Sequence, residues 1–513
     1  MKFIVSIFML AIVSTLNAQS IPKDFDAYVE KVLKTFNVPG VAVAIVKDGK
    51  VILAKGYGLK TIGTKDKVDS KTNFSIASNT KAFVGTSLGI LVDEGKIKWN
   101  DRVVDHLPWF QLSDPYVTKE MRVIDLLVHR SGLGLGAGDL LIWPTNTYNQ
   151  KDVVKRFKNI PLATSFRSTY AYDNILYLIA GELIEAVSGM SWDAFVQTRI
   201  FNKLGMNNSV LTFSDAVKKG NVATPHAEIN GIVRLVAASD SAKTNPAATV
   251  NTNAEDIAKW MICQLDSGKY ADSSKLFTPT ITRTLWSVVT PLPVGKVAKE
   301  LSPMQPNFAG YGAGFFLRDY RGKKLVWHTG GLSGFVSLVA MIPELRVGVA
   351  VFTNQEVGGA FYSIGWRALD YYLNANYDWI AAYKAVKNRA DSTDKAAEAK
   401  RSAARDSLSK PSLSLEKYAG KYNDTWYGEI NIELKAGKLF MQMAATPSLG
   451  GYLEHYQYNT FIARWSDPEM RADAFVTFSL NPDGSIETVK MKAVSPATDF
   501  SFDFHDLLLK PIK

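Results

Sequence analysis

Strand-like sequence stands at the two ends of the first 375 or so residues, with helical sequence between them. Residues 40–58, GVAVAIVKDGKVILAKGYG, read as two apolar strands around an Asp48-Gly49 turn, which is a strong hairpin signal. Strand patterns return at residues 311–354, whereas residues 78–270 are mostly helical with loops of Gly, Pro and Asn. The sheet must therefore gather strands from distant parts of the chain, which predicts an α+β domain with a helical lobe.

The composition changes after residue 378. Residues 379–411 are rich in Ala, Lys, Arg and Asp, which predicts a solvated helix and linker. From residue 412 onward, short strands alternate with Gly- and Asp-containing turns, which is typical of an antiparallel meander or small barrel. A chain of 513 residues exceeds the roughly 250–300 residues of one core, so we expect domains at 19–378 and 412–513 joined by that linker.

The N-terminus, MKFIVSIFMLAIVSTLNAQS, has the pattern of a secretory signal peptide over residues 1–18. Cleavage is predicted after Ala18, although Leu16 is larger than usual for its position before the cut. The apolar run of about 14 residues is short for a membrane span. We therefore expect an exported protein, in a bacterial periplasm or outside the cell, with no integral membrane segment after signal removal.

Charge and composition exclude several functions. The 59 basic residues are spread along the chain beside 49 acidic ones, so no nucleic-acid partner is predicted. The single cysteine, Cys263, allows neither an internal disulfide nor a cysteine zinc site. The six histidines lack H-E-x-x-H spacing, so no metal and no cofactor is predicted.

Two serine patterns compete within residues 74–92. Ser78 begins an S-x-x-K motif that ends at Lys81, and Ser87 is the centre of a G-x-S-x-G motif. The S-x-x-K pattern alone is weak evidence, because it occurs five times, beginning at Ser20, Ser78, Ser392, Ser407 and Ser414. Only at Ser78 does it follow an extended stretch and open an apolar helix; helix capping is the alternative for this serine.

Helix geometry favours Ser78 over Ser87. A serine at a helix N-terminus places its backbone N–H where an oxyanion would form, and Lys81 returns to the same face. Burial would lower the pKa of that lysine and make it a proton acceptor. Ser87 instead lies on a helical stripe, where Gly85 and Gly89 are predicted to serve close packing.

Two further motifs follow in order. Tyr172 and Asn174 form a Y-x-N at the start of a predicted helix, and His328, Thr329 and Gly330 form an H-T-G after a strand. Each alone could be a core aromatic residue or a turn. Together with S-x-x-K, they resemble the serine β-lactamase and penicillin-binding family, in the branch of class C β-lactamases, D-stereospecific peptidases and related esterases. The resemblance covers about residues 24–376, and the C-terminal region resembles the small, lipocalin-like β-domain that often follows such hydrolases.

The resemblance implies a role for each motif residue. Ser78 would be acylated by the substrate, Lys81 and Tyr172 would share the general-base and acid steps, and water would release the acyl group. Asn174 would contact substrate and Lys81. The substrate would lie beside the H-T-G strand, with the backbone N–H groups of Ser78 and Gly331 as the oxyanion hole. The expected partner is a small peptide, amide or ester; homo-oligomer formation stays open.

His328 departs from the family, because many β-lactamases and transpeptidases have lysine there. A mostly neutral histidine would hold a substrate carboxylate less firmly, so β-lactam hydrolysis is not the expected main activity. Trp143 and Tyr148 are expected to border the cleft, with packing of a surface loop on its own aromatics as the alternative. Structural roles are expected for the three remaining polar candidates, His129, Asp173 and Asn354.

Two other functions remain as alternatives. One is an α/β-hydrolase esterase that uses Ser87. The other is a non-catalytic cell-envelope binding protein that keeps the fold and presents its C-terminal β-domain; such a protein would have no need of Lys81 and Tyr172 together.

Overall fold

A computed structural model describes residues 20–238, 245–272 and 274–512. The predicted signal peptide at residues 1–18 lies outside the described residues. The described chain forms an α+β domain followed by a closed β-barrel, so the predicted fold class is confirmed.

The first domain is built on one antiparallel sheet of eight strands. Its N-terminal hairpin joins strands that lie about 300 residues later, because Val41 pairs with Thr353. The strands run across the sheet in the order Lys50–Gly58, Gly40–Lys47, Val347–Thr353, Phe335–Ile342, Lys323–Leu332, Phe316–Tyr320, Ala309–Tyr311 and Thr290–Pro291. The central strands are apolar on both faces, since alternate residues pack into different cores on opposite sides.

Three helices cover one face of the sheet. They are Phe25–Phe36, Gly358–Tyr372 and Trp379–Ala403, and they pack on sheet residues such as Val43 and Val349. The helix Trp379–Ala403 is buried only over its first turns and then becomes solvated, as its charged sequence predicts.

A helical lobe covers the other face. Its α-helices are Thr80–Asp93, Val103–His106, Pro115–Glu120, Gln150–Arg156, Ile175–Ser188, Trp192–Val196, Asn202–Leu204, Phe213–Lys219, Ala254–Leu265 and Pro279–Leu285. Three short two-stranded ladders complete the lobe: Phe74–Ser75 with Asn251–Thr252, His226–Ile229 with Ile232–Leu235, and Lys269–Ala271 with Ser274–Lys275. Across the three described ranges, no single helix is long and apolar enough to cross a membrane. The helix pair Ile175–Ser188 and Trp192–Leu204, bent by 71° at its break, reaches the length and apolar composition of a membrane span only when the two helices are taken together.

The barrel closes from eight strands in sequential order. They are Gly420–Asp424, Gly428–Lys435, Lys438–Met443, Gly450–Gln457, Thr460–Trp465, Ala474–Leu480, Ile486–Ala493 and Leu508–Pro511. The barrel contacts the helical lobe directly: the Tyr148 hydroxyl donates to the carbonyl of Tyr427 at 2.8 Å, and Arg156 donates to the carbonyl of Trp426 at 3.0 Å. Residues 494–507, between the last two strands, cross to the lobe, and we call them the cleft loop.

Candidate active site

Ser78 lies in a tight turn at the centre of the first domain. The 3₁₀ turn Ala77–Asn79 connects the strand Phe74–Ser75 to the helix Thr80–Asp93. The α-helix therefore begins two residues after Ser78, and not at Ser78 as the sequence predicts. Ala77 has a left-handed backbone, with φ of 47°, which costs an alanine about 1–2 kcal/mol. This turn leaves Ser78 half-buried while its neighbours Ala77 and Asn79 are buried.

The H-T-G strand is fixed against this turn. A Cβ atom at Gly330 would lie 2.1 Å from the carbonyl oxygen of Ile76, so only glycine allows the strand to approach so closely. The Asn79 amide donates to Ser337 Oγ at 2.8 Å, and that hydroxyl donates to the Ile76 carbonyl at 2.7 Å. The two motifs are thus held together by backbone packing and two buried hydrogen bonds.

Lys81 is completely buried beneath Ser78. Its Nζ donates to Ser78 Oγ at 3.0 Å, to Asn174 Oδ1 at 2.7 Å and to the carbonyl of Ala247 at 3.0 Å. Burial lowers the pKa of Lys81 to about 7, although the carboxylates of Asp139 and Asp173 act in the opposite direction. A large fraction of Lys81 is therefore neutral near pH 7 and can accept the Ser78 proton.

Tyr172 lies on the other side of the same lysine. Its ring centroid is 4.9 Å from Lys81 Nζ. Burial raises the pKa of Tyr172 well above its ordinary value, and a hydrogen bond with the Ser78 side chain lowers it in part. The phenol keeps its proton at neutral pH, so it is suited to donate a proton near Ser78 Oγ.

Asn174 precedes the helix Ile175–Ser188 but does not cap it with its side chain. Its Nδ2 donates to Asp139 Oδ2 at 2.8 Å, which fixes the amide so that Oδ1 faces Lys81. Burial raises the pKa of Asp139 to about 7, while the bonds from Asn174 and Ser501 lower it. Sequence reasoning missed Asp139, although it lies only four residues before Trp143, which is expected to border the cleft.

His328, the first residue of the H-T-G motif, is buried within its strand. Its Nε2 accepts from the Tyr311 hydroxyl at 2.8 Å, and its Nδ1 lies 2.5 Å from the Thr329 carbonyl. Burial, with a smaller effect from Lys81, lowers the pKa of His328 to about 3. The imidazole is therefore neutral throughout the physiological pH range, whereas its ordinary pKa would leave it only partly neutral.

The site opens into a cleft of about 1180 Å³ between the two domains. Ser78, Tyr172 and Asn174 line it together with His328, Thr329 and Gly331. The barrel supplies the opposite wall, including Ser495 and Phe500 of the cleft loop. Trp143 lines the cleft as expected. The structure places Tyr148 at the barrel interface instead, where its hydroxyl is bound to the Tyr427 carbonyl.

The competing serine, Ser87, has a different setting. It is fully buried, and its hydroxyl donates to the Phe83 carbonyl at 2.8 Å within the same helix. A Cβ at Gly85 would lie 2.4 Å from the Ala313 carbonyl oxygen, so this glycine serves close packing. Ser87 is in mid-helix and not at a strand–helix elbow, so the α/β-hydrolase alternative has no geometric basis.

The remaining polar candidates have structural partners. His129 is fully buried, and its Nδ1 accepts from the backbone N–H of Asp173 at 3.1 Å. Asn354 joins three backbone groups, accepting from Gly40 N and donating to the carbonyls of Leu59 and Lys60.

Comparison with known proteins identifies the family. A family model described as β-lactamase matches residues 25–373, which is more than half of the chain. The chain belongs to the β-lactamase family. This β-lactamase-fold domain places the protein among serine hydrolases. A second model, described as a domain of unknown function (DUF3471), matches residues 404–511, the barrel and the end of the linker.

Individual relatives have low sequence identity to this chain but match much of its length. The unguisins hydrolase ungD of Aspergillus violaceofuscus is 27% identical over 90% of this chain and 86% of its own length. Protein flp of Staphylococcus aureus strain MW2 is 27% identical over 65% of this chain and 63% of its own. The octameric penicillin-binding protein homologue from Pyrococcus abyssi superposes with a TM-score of 0.59 at 19% identity, covering 95% of this chain and 99% of its own. The crystal structure of SurE with D-Leu superposes with a TM-score of 0.53 at 17% sequence identity, covering 95% of this chain and 98% of its own. These two structures show the shared fold.

Proposed function

We propose that the protein is an exported serine hydrolase in which Ser78 forms an acyl-enzyme with an amide, peptide or ester substrate. The observation that carries this proposal is the fully buried Lys81, whose Nζ lies 3.0 Å from Ser78 Oγ and whose pKa is lowered to about 7 by burial. Burial of a lysine costs stability, because its charged form loses the hydration of water. A neutral amine beside a hydroxyl activates that hydroxyl as a nucleophile.

The proposed reaction has two balanced halves. Neutral Lys81 takes the Ser78 proton as Oγ bonds to the substrate carbonyl carbon, and the resulting oxyanion lies against the backbone N–H groups of Ser78 and Gly331. The carbon–nitrogen or carbon–oxygen bond then breaks, and the leaving amine or alcohol takes a proton from Tyr172, which Lys81 restores. Water next attacks the acyl-serine ester, gives a proton to the Tyr172–Lys81 pair, and releases a carboxylic acid while Ser78 recovers its proton.

The charges of the cleft limit the substrate class. Among the described residues that line the cleft, Arg471 is the one lysine or arginine. It forms a bidentate salt bridge with Glu356, with Nη1–Oε2 and Nη2–Oε1 distances of 2.6 Å and 2.9 Å. Five carboxylates also line the cleft: Asp139, Glu356, Asp467, Glu469 and Asp499. Since His328 is neutral, none of the described residues beside the H-T-G strand offers a fixed cation to a substrate carboxylate. Neutral or cationic amides and esters are therefore favoured over β-lactams, which carry a carboxylate.

The name of one structural neighbour supports a substrate that contains a D-amino acid. One relative is named as a hydrolase of unguisins, and one structural neighbour is SurE with D-leucine. We therefore include peptide bonds beside D-amino acids among the proposed substrates. The family allows true β-lactam hydrolysis as well, but the neutral His328 makes it the less favoured activity.

A substrate panel tests this proposal. Turnover of acyl aryl esters, D-aminoacyl amides, matching L-aminoacyl amides and peptides ending in D-alanine should be compared with that of a cephalosporin, using Ser78→Ala as the control. We expect ester or amide turnover that disappears in Ser78→Ala. Cephalosporin turnover at ordinary enzyme rates, at or above the ester and amide rates, would contradict the inference from His328. Turnover that survives in Ser78→Ala would contradict the proposed nucleophile.

Location and assembly form the rest of the proposal. Export depends on residues 1–18, and we expect an N-terminus near residue 19 when the chain is produced with secretion. The octameric Pyrococcus homologue leads us to propose that this protein also forms a homo-oligomer. Mass spectrometry of the secreted protein and analytical ultracentrifugation test the two parts; an uncut N-terminus or a monomer would contradict them.

A further inference from the structure

The cleft loop of the barrel reaches the hydrogen bonds behind the active site. Ser501 Oγ donates to Asp139 Oδ2 at 2.9 Å, a contact between residues that lie 362 positions apart in the chain. The two oxygens of Asp503 accept the backbone N–H groups of Gly138 at 2.7 Å and Leu140 at 3.1 Å. Three consecutive residues of the lobe are therefore held by two side chains of the barrel.

The held carboxylate, Asp139, determines how Asn174 meets Lys81. An amide side chain can present either its oxygen or its nitrogen to a neighbour. Because Asp139 Oδ2 accepts from Asn174 Nδ2 at 2.8 Å, the oxygen of that amide faces Lys81 Nζ at 2.7 Å. A continuous chain of hydrogen bonds thus runs from Ser501 through Asp139 and Asn174 to Lys81, and from Lys81 to Ser78.

The same loop also covers the second proton-transfer residue. The ring of Phe500 stands edge-on to that of Tyr172, with their centroids 5.8 Å apart. Gly136, whose N–H donates to the Tyr172 carbonyl at 2.8 Å, has a left-handed backbone with φ of 70°. A Cβ there would lie 2.8 Å from the Phe500 carbonyl oxygen. Lobe and barrel are therefore fitted to one another beside Tyr172, and the loop is part of the site wall.

We propose that the C-terminal barrel completes the active site, with Ser501 and Asp503 as positioning residues that hold Asp139 so that Asn174 presents its oxygen to Lys81. This inference rests on the proposed function for its consequence in catalysis, but the contact itself can be tested without substrate. It assigns a role to the domain of unknown function: the barrel supports the groups that set the protonation of Lys81.

The direction of the expected effect follows from the charges. The Ser501 hydrogen bond lowers the pKa of Asp139, and the charge of Asp139 raises the pKa of Lys81. Loss of the Ser501 hydroxyl makes Asp139 easier to protonate, so Lys81 loses its proton at a lower pH. The other titratable groups that act on this pair are Asp173, Tyr172, Tyr177, His129 and His328 beside Lys81, and Asp499 and Asp503 beside Asp139.

The test is a ¹³C NMR titration of Lys81 in the full chain labelled with [¹³Cε]lysine, with the signal assigned by Lys81→Arg. Wild type is compared with Ser501→Ala, with Ser501→Thr, which keeps the hydroxyl, and with Asp139→Asn, which removes the charge. Ser485→Ala is the matched control, because Ser485 Oγ also donates to an aspartate, Asp483, at 2.6 Å, but on an exposed barrel turn. Tm and the rate of Ser78 labelling by a fluorophosphonate are measured in parallel.

We expect the Lys81 midpoint to move to lower pH by a few tenths of a unit in Ser501→Ala and further in Asp139→Asn. Ser501→Thr should restore it, and Ser485→Ala should leave it unchanged. Above the midpoint, Ser78 labelling should be about tenfold slower in Ser501→Ala, because a displaced catalytic group loses rate steeply with distance. An unmoved midpoint overturns the proposal, and a slower labelling rate with a lower Tm would then indicate a structural role alone.

The titration also separates the two proposals. A moved midpoint with no labelling of Ser78 by any reagent would refute the proposed function and leave the positioning role supported. Normal labelling of Ser78 with a midpoint that Ser501→Ala does not move would refute the positioning role and leave the function supported.

Discussion

The start and the middle of the helix Thr80–Asp93 place two serines in opposite settings. At its start, Ser78 is half-buried beside a cleft, and Lys81 donates to three acceptors while its pKa is depressed. Nine residues after Ser78, Ser87 is fully buried, and its hydroxyl is used within the helix by the Phe83 carbonyl. Both serines match a nucleophile motif, so the three-dimensional surroundings of each hydroxyl, and not the adjacent sequence, decide which serine can react.

The comparison also separates two uses of glycine. Gly330 lets the H-T-G strand lie against the Ser78 turn, since a Cβ there would be 2.1 Å from the Ile76 carbonyl. Gly85 lets the helix lie against the Ala313 carbonyl, since a Cβ at Gly85 would be 2.4 Å from that carbonyl oxygen. The first contact builds the site and the second builds the core.

The strongest contrast is between Ser78→Ala and Ser87→Ala. Removal of the nucleophile should lower kcat by at least about 10⁴-fold, because losses of that size follow removal of a catalytic serine in other hydrolases. Ser87→Ala should keep kcat within about twofold and change stability by only about 1 kcal/mol, since one intrahelical hydrogen bond is lost. Steady-state kinetics on one ester and urea unfolding measure both effects. Equal loss of activity in the two variants would contradict the assignment of Ser78, and not Ser87, as the nucleophile.

Lys81→Met should lower kcat/KM by about 10²–10⁴-fold, because it removes the proton acceptor while nearly keeping the side-chain volume. The matched control is Lys96→Met, just beyond the end of the same helix, where the lysine is exposed and paired with Glu94 at 3.0 Å. The control should retain activity. Activity of Lys81→Met near that of wild type would show that another group accepts the Ser78 proton.

The pH profile should follow Lys81. Below its pKa of about 7 the amine carries a proton and cannot act as a base, so kcat/KM should rise about tenfold per pH unit and level off above pH 7. His328 is neutral across this range and should add no step near pH 6.5. The measurement is kcat/KM for a neutral ester, whose own charge does not change. A rise centred near pH 4 would point to a carboxylate base instead.

Gly330→Ala should reduce activity by about tenfold or more and destabilise the fold by about 1–3 kcal/mol, because the added methyl group overpacks the contact with the Ile76 carbonyl. Gly295→Ala is the control, since a Cβ there meets no atom within 4 Å. Thermal unfolding and ester turnover test the pair. A stable, fully active Gly330→Ala variant would show that the strand does not need so close an approach.

Much of the fold could be predicted, because it follows from local patterns. The hairpin around Asp48-Gly49, the helical lobe and the short strands after residue 412 all have clear periodicity. The motif residues Ser78, Lys81, Tyr172 and Asn174 could be named because together their motifs resemble those of the β-lactamase family. The structure brings them together at hydrogen-bonding or ring-contact distances.

Other parts of the site depend on contacts that no local pattern shows. The bond from Ser501 to Asp139 joins two domains across 362 residues. The His328 ring is bound by the hydroxyl of Tyr311, which lies two strands away in the sheet. The 3₁₀ turn at Ala77–Asn79 depends on the H-T-G strand that packs on it through Gly330. In each case a tertiary partner, and not the adjacent sequence, determines the local geometry.

The most direct measurement is the location of a fluorophosphonate adduct by peptide mass spectrometry, with the protein held above the Lys81 pKa of about 7. The account predicts one adduct, on the peptide that contains Ser78, absent from Ser78→Ala and retained in Ser87→Ala. An adduct on Ser87, or one that persists in Ser78→Ala, would contradict it.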